Sequence, residues 1–349
     1  MRVLVTGHNG YLGSVMAAVL HRRGYEIAGL DTYYYEECTF GPAGVGIPSV
    51  RKDIRDVTAE DLSNFEAVIH LAALSNDPLG ELKGEWTTDI NYTASVRLAR
   101  EAKRAGVRRF LFASSCSMYG ASGAAEATEE DPLQPLTQYA SSKVRTERDV
   151  SALAGDNFSP VFMRNATVYG VSPKLRQDLV LNNLVGWAHA TGKVLIMSDG
   201  TPWRPIIHVE DVAEAFAEAL AAPREAVHNQ AINVGRNSEN YRVREIADIV
   251  QEVVPGSRIE YAAQAAPDQR NYRVNFQKLE RVLPNFRPRW DARQGARQLY
   301  EAFLEERVAE TELFGRKYTR LKQLRHLIEG GWLDGTLRWR IPRNEVARV

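Results

Sequence analysis

Thr6-Gly7-His8-Asn9-Gly10-Tyr11-Leu12-Gly13-Ser14 decides how the whole chain reads. It follows a β-branched and apolar run at 2–6 and opens a helical pattern at 11–23, so strand, loop and helix succeed one another. The glycines at 7, 10 and 13 allow a tight turn and close approach of backbone to a pyrophosphate, whose charge is favoured at a helix N-terminus. Glycines alone can form any loop. Here Asp31 ends the next strand pattern, at the spacing expected of an acid that accepts bonds from both hydroxyls of an adenosine ribose and repels a 2′-phosphate. Thr32, Tyr33 and Tyr34 follow it, with no arginine among them, so the pattern favours NAD over NADP.

Outward from this loop, short apolar runs at 2–6, 26–31, 67–71, 109–114, 160–164 and 231–234 alternate with helical patterns at 11–23, 89–105, 139–154 and 209–221. The alternation predicts an α/β fold, a parallel sheet with helices on both faces. After Gly170 it becomes irregular, punctuated by Pro173, Pro202, Pro205, Pro255 and Pro267. We expect residues 1–170 plus 206–235 to form the dinucleotide domain, and 171–205 plus 236–291 a smaller substrate lobe across a cleft. Residues 292–349 read as a C-terminal helical extension rich in Arg, Lys and Glu, with a packing or assembly role.

Bulk composition narrows the partners. Lys plus Arg and Asp plus Glu are balanced at 44 each in 349 residues, so neither nucleic acid nor an anionic membrane is expected to bind. Cys38 and Cys116 are too few for a metal cluster or a disulfide framework, which fits a reducing cytoplasm and no metal. The chain opens on a strand pattern rather than a signal peptide, and no apolar run is long enough to span a bilayer.

The chemistry is carried by Gln138-Tyr139-Ala140-Ser141-Ser142-Lys143, downstream of Ser114-Ser115-Cys116-Ser117. Tyr139 and Lys143 are four apart and share a helix face. A lysine cation near a phenol favours the phenolate, making a base usable near neutral pH. The same spacing recurs at Tyr318 and Lys322, where neither serine cluster nor glycine loop is near. Ser115 completes the first pair by hydrogen-bonding an oxygen that develops from alcohol to carbonyl.

Glycines spaced Gly-x-x-Gly-x-x-Gly, with Asp31, Ser115 and Tyr139-x-x-x-Lys143, resemble the extended short-chain dehydrogenase/reductase family, particularly its nucleotide-sugar epimerases and dehydratases. The resemblance runs from Met1 to about Arg289. It implies a Rossmann-type doubly wound sheet, a tightly held NAD, a nucleoside diphosphate sugar as substrate, and a homodimer through the helices near 89–105 and 139–154. On the cofactor side it implies roles for Gly7, Asn9, Gly10, Tyr11, Leu12, Gly13, Asp31, Ser114, Tyr139 and Lys143. Asp53 and Ile54 match the adenine pair, Leu71, Ala72 and Ala73 the strand end along the cofactor, and Asn91 a bracing asparagine. On the substrate side, Arg204 in Trp203-Arg204-Pro205-Ile206-Ile207-His208 resembles the arginine that meets the diphosphate, and Arg270 a second one. Asn182 and Asn183 stand where an asparagine reaches the sugar nucleotide. Ser115, Cys116, Ser117 and Thr167 would face the sugar.

Two departures matter. Thr167 occupies the place of an asparagine before Val168-Tyr169-Gly170, with Asn165 two residues earlier. Cys116 and Ser117 occupy the places where a 4,6-dehydratase carries Asp-Glu, so the acid/base pair for elimination is missing there. An epimerase needs no such pair, because the ketone turns over and takes the hydride back on its other face. The reading is therefore an NAD-dependent nucleotide-sugar epimerase, at C4. The alternatives are a 4-ketoreductase or other oxidoreductase or dehydratase of the same family, and a catalytically silent NAD- or metabolite-sensing protein.

Overall fold

The computed structural model describes residues 1–75, 83–122, 125–263 and 269–340. Seven strands form one parallel sheet in the spatial order Gln230–Val234, Ser159–Asn165, Arg109–Ser115, Ala67–His70, Arg2–Thr6, Glu26–Asp31, Ser49–Arg51. The chain runs outward from Arg2–Thr6 in both directions, so a crevice opens beyond the carboxyl end of that central strand. Thr6 pairs in register with Leu30 on one side and His70 on the other, and His70 pairs with Phe112. Those pairings bring Asp31, Leu71 and Ser115 to the same rim.

Alternation along the strands divides the core. Val3, Val5, Ile69, Leu111 and Met163 point to the side covered by the helices Tyr11–Arg22 and Val209–Ala221. Leu4, Val68, Phe110, Phe112 and Phe162 point to the other, under Ala94–Arg104 and Gln138–Ser151. A helix on each face buries both sides, as the nearly continuous apolar strands require. The strand Ser49–Arg51 was not expected; at three residues it is too short to show a period of its own. The helical pattern near 89 begins as a π-helical turn, Thr88–Thr93, and continues as Ala94–Arg104.

Beyond Gly170 a second core gathers Leu181, Val185, Val194, Ile206, Ile246 and Val250. Its framework is the helix Val180–Thr191, the helix Val243–Val253 and the strand pair Lys193–Ile196 with Arg258–Tyr261. Helix Ala292–Glu305 adds Ala296, Leu299 and Phe303 to this core. Later tail residues Leu324, Leu327, Leu333 and Leu337 return to the large sheet and pack with Leu30, Tyr34 and Ile54. Among the described residues, no helix is long and apolar enough to cross a membrane. Residues 341–349 of the expected extension lie outside the described ones.

Candidate active site

A cavity of about 640 Å³ occupies the crevice, lined from the large sheet, the smaller lobe and the tail. At its floor the glycine loop leaves no room for side chains. A Cβ on Gly7, whose φ is +76°, would lie 2.7 Å from Ala72 N; one on Gly13 would lie 2.1 Å from Gly7 O. The helix Tyr11–Arg22 starts from Gly10 with no capping side chain and no acid in its first turn. Its first N–H groups are therefore available to an anion. Tyr11 opens the helix and anchors it, its hydroxyl donating to Gly170 O at 2.8 Å.

Asp31 accepts from Asn9 N at 3.0 Å and Tyr33 N at 2.8 Å, which orients its carboxylate at the cavity edge. Asp53 and Ile54 lie on the same side, and Asp53 is gripped by Arg55 through Nε and Nη2. Leu71, Ala72 and Ala73 run along the wall. The uncapped helix end, the glycine cradle and the Asp31 carboxylate line one cavity and together fit a dinucleotide: anion receptor, close backbone approach and ribose acceptor.

The reacting end is built by two elements. Thr137 caps the helix Gln138–Ser151, its Oγ1 accepting from Ala140 N at 3.1 Å. That start places Tyr139 and Lys143 one turn apart, both on the cavity wall. The Lys143 ammonium lies 5.5 Å from the Tyr139 ring centroid, 4.5 Å from that of Phe112, and donates to Ala113 O at 2.6 Å. Burial pushes its pKa down to about 7, opposed by the Glu147 carboxylate. On the same cavity wall, Ser115 Oγ donates to Ser117 Oγ at 2.9 Å and accepts from Ser117 N. Ser114, also on the wall, donates to Glu147 at 2.5 Å. Tyr318 and Lys322 are absent from this wall: the tyrosine is buried in the second core and the lysine donates to Phe314 O.

Of the expected substrate residues, Ser115, Ser117, Thr167, Asn183, Arg204 and Arg270 line the cavity. Arg204 Nη1 donates to Arg270 O and, at 2.7 Å, to Trp203 O, so backbone carbonyls orient its guanidinium. Asn182 and Cys116 are not brought to the wall, which corrects their expected roles. Asn182 is fully buried, accepting from Gly170 N at 3.0 Å and donating to Arg176 O at 2.9 Å; it holds the turn behind the wall. The next helical position rotates Asn183 about 100° and into the cavity. Cys116 is likewise fully buried, its thiol against Arg164 O, and burial raises its pKa well above the ordinary thiol value. Asn9 and Asn91 also act from behind. Asn91 accepts from Leu74 N at 2.7 Å and donates to Leu74 O at 2.9 Å, so it braces the wall through Leu74.

Several lining residues had no role assigned to them from the sequence. Asn165 faces the cavity beside Thr167, with its Oδ1 buried and without a hydrogen-bond partner. Arg176 and Asp178 pair at 2.8 Å, and Arg176 Nη1 also donates to Ser75 Oγ at 2.9 Å. Burial works against the Arg176 cation, but Asp178 overrides it and holds its pKa high. Arg320 reaches the wall from the tail. A charged Arg-x-Asp after Pro173 was the available signal for the first pair; nothing near Arg320 in the sequence marks it.

Residues 3–235 match the model of the NAD dependent epimerase/dehydratase family. A UDP-glucose 4-epimerase of Corynebacterium glutamicum is 30% identical over 270 residues, covering 72% of this chain and 80% of that protein. The structure of MoeE5 in complex with UDP-glucose and NAD aligns with a TM-score of 0.76 at 28% identity, over 88% of this chain and 100% of that one. The Thermus thermophilus UDP-glucose 4-epimerase in complex with NAD aligns with a TM-score of 0.73 at 26% identity, over 87% and 99%. With this match and the cradle just described, the chain belongs to the NAD dependent epimerase/dehydratase family, and its cofactor is NAD.

Proposed function

We propose that this protein is a nucleotide-sugar 4-epimerase that works through a transient 4-keto sugar. The observation that carries the reading is the meeting of Ser115, Tyr139 and Lys143 on one cavity wall, with Ser117 and a buried Cys116 where elimination would want carboxylic acids. Bound NAD supplies the acceptor for the hydride and gives it back. The chain's own residues handle the proton and the oxygen. Tyr139 takes the proton from the sugar hydroxyl, and Lys143 favours the phenolate that does so. Ser115 donates to the same oxygen, helped by Ser117 holding its hydroxyl. Arg204 and Arg270 suit the diphosphate of the substrate, fixing the nucleotide while the sugar turns. Small side chains at 115 and 117 leave room for that rotation.

A dehydratase reading would recruit Asp178, whose carboxylate lines the same cavity. The Arg176 guanidinium already engages both of its oxygens, at 2.9 and 2.8 Å, which disfavours a proton-transfer role. We also propose a homodimer through the helices Ala94–Arg104 and Gln138–Ser151. Light scattering should then give about twice the 39.1 kDa chain mass.

The decisive experiment incubates the protein with UDP-, dTDP-, GDP- and CDP-sugars and analyses products by NMR and mass spectrometry. We expect the C4 epimer, of unchanged mass, with no net NADH. A product lighter by one water would establish elimination instead, and stoichiometric NADH would establish net oxidation. Tyr139→Phe should lower kcat by about 10²- to 10⁴-fold while the protein still carries NAD.

A further inference from the structure

Arg320 stands in the cavity wall although it lies far beyond the residues that the family model matches. Its side chain is nearly buried, and its hydrogen bonding is incomplete: Nη2 donates to Lys174 O at 2.7 Å, whereas Nη1 is buried without a partner. The guanidinium carbon lies 4.3 Å from the Tyr35 ring centroid, so the plane is held by a face contact. A buried cation short of a partner is costly unless an anion completes it. Asp178, the carboxylate in this part of the wall, is held by Arg176 at 2.9 and 2.8 Å. Among the described residues, the Arg176 and Arg320 guanidiniums and the Lys174 ammonium, 3.3 Å from Tyr35 O, gather around Tyr35 with the Asp178 carboxylate, and the surplus is positive.

That surplus adjoins the dinucleotide cradle. Arg320 lines the same cavity as Tyr11, the first residue of the uncapped helix, and Tyr35, four residues past Asp31. The same tail is fastened to the loops at the adenosine end. Trp339 Nε1 donates to Thr32 O at 2.7 Å, the Tyr34 hydroxyl donates to Leu337 O, and Arg55, while gripping Asp53, donates to Thr336 O at 2.7 Å.

We propose that Arg320 is a cofactor-binding residue: from the C-terminal helix it completes the site for the diphosphate of the dinucleotide, so that tail and cofactor hold each other in place. The inference rests on the cofactor assignment and not on which sugar reaction follows, so sugar assays and nucleotide titrations fail separately. Full-length wild type, Arg320→Gln and Arg320→Lys, stripped of nucleotide, are titrated with NAD, adenosine and UDP. Losing a charged hydrogen bond should weaken NAD by about ten- to a hundredfold in Arg320→Gln, with partial recovery in Arg320→Lys. Adenosine and UDP should change by less than about twofold, since neither loses that bond. Equal NAD affinity in wild type and a folded Arg320→Gln overturns the proposal, as does a loss confined to UDP, which would give Arg320 to the substrate diphosphate. Should Arg320→Gln not fold, hydrogen exchange on the wild type decides. NAD should slow exchange across Arg320–Glu329 well beyond adenosine, and equal exchange with the two overturns the assignment.

Discussion

His70 shows how a single residue ties the sheet to the chemistry above it. Its ring bridges Thr6 Oγ1 at 2.7 Å and Ser95 Oγ at 2.8 Å, pinning the central strand to its neighbour and to the helix beyond. Burial, aided by the Lys143 charge, lowers its pKa to about 3 from an ordinary 6.5. Between those values the unfolded chain binds a proton that the folded one refuses. Stability from this group is therefore full above pH 6.5 and falls as pH drops, by about 1.4 kcal/mol per unit. Urea unfolding at pH 7 and pH 5 should show His70→Gln losing less stability than wild type over that interval, by about 2 kcal/mol. Acids raised by burial, such as Glu129 and Glu239, act with the opposite sign in both proteins and cancel in the comparison. Parallel losses in the two proteins would rule His70 out as the source.

At the scale of elements, the glycine loop and the helix it opens form one unit. Gly13 in the first turn lies against the loop itself, where a Cβ would come within 2.1 Å of Gly7 O and 2.6 Å of His8 Cα. Gly13→Ala must therefore push helix and loop apart, at a cost of about 1–3 kcal/mol. NAD affinity should fall by at least about tenfold along with it, since the shift moves the N–H groups that face the anion. Gly24→Ala is the control. Its φ of +78° makes the change strained, yet nothing lies within 4 Å of the new Cβ. Its cost should be about 1–2 kcal/mol with NAD affinity unchanged. Calorimetry and nucleotide titration of both variants test the contrast. Most of these elements were legible because their periods are strong: the strands Arg2–Thr6 and Glu26–Asp31 and the helix Val209–Ala221 lie where the apolar pattern put them. The π-turn Thr88–Thr93 and the strand Ser49–Arg51 escaped, since hydrogen-bond slippage and a three-residue edge leave no periodic trace.

For the molecule as a whole, the tail joins two bodies of the fold. It contributes Phe303 to the smaller lobe and then Leu324, Leu327 and Leu337 to the large one. Leu337 is fully buried against the loops that line the cofactor end, in a left-handed conformation with φ 62°. Leu337→Ala should cost about 2–5 kcal/mol for the cavity it leaves. Denaturant unfolding measures this directly, and a change below about 0.5 kcal/mol, as at a surface site, would show the tail to be loosely attached.

Sequence alone determined the sheet and the dinucleotide loop, and its spacings marked the residues proposed for the nicotinamide site and the proton-handling pair. Gly7, Gly10, Gly13, Asp31, Tyr139 and Lys143 are separated by spacings that local geometry turns directly into position: a loop, a strand end, one helical turn. Tertiary structure alone decided which of Asn182 and Asn183 faces the cavity, that Cys116 lies beneath it, and that Arg320 reaches it from 289 positions beyond Asp31. Periodicity carries information over a few residues, whereas a buried guanidinium is placed by packing between distant segments, which leaves no repeating pattern in the chain.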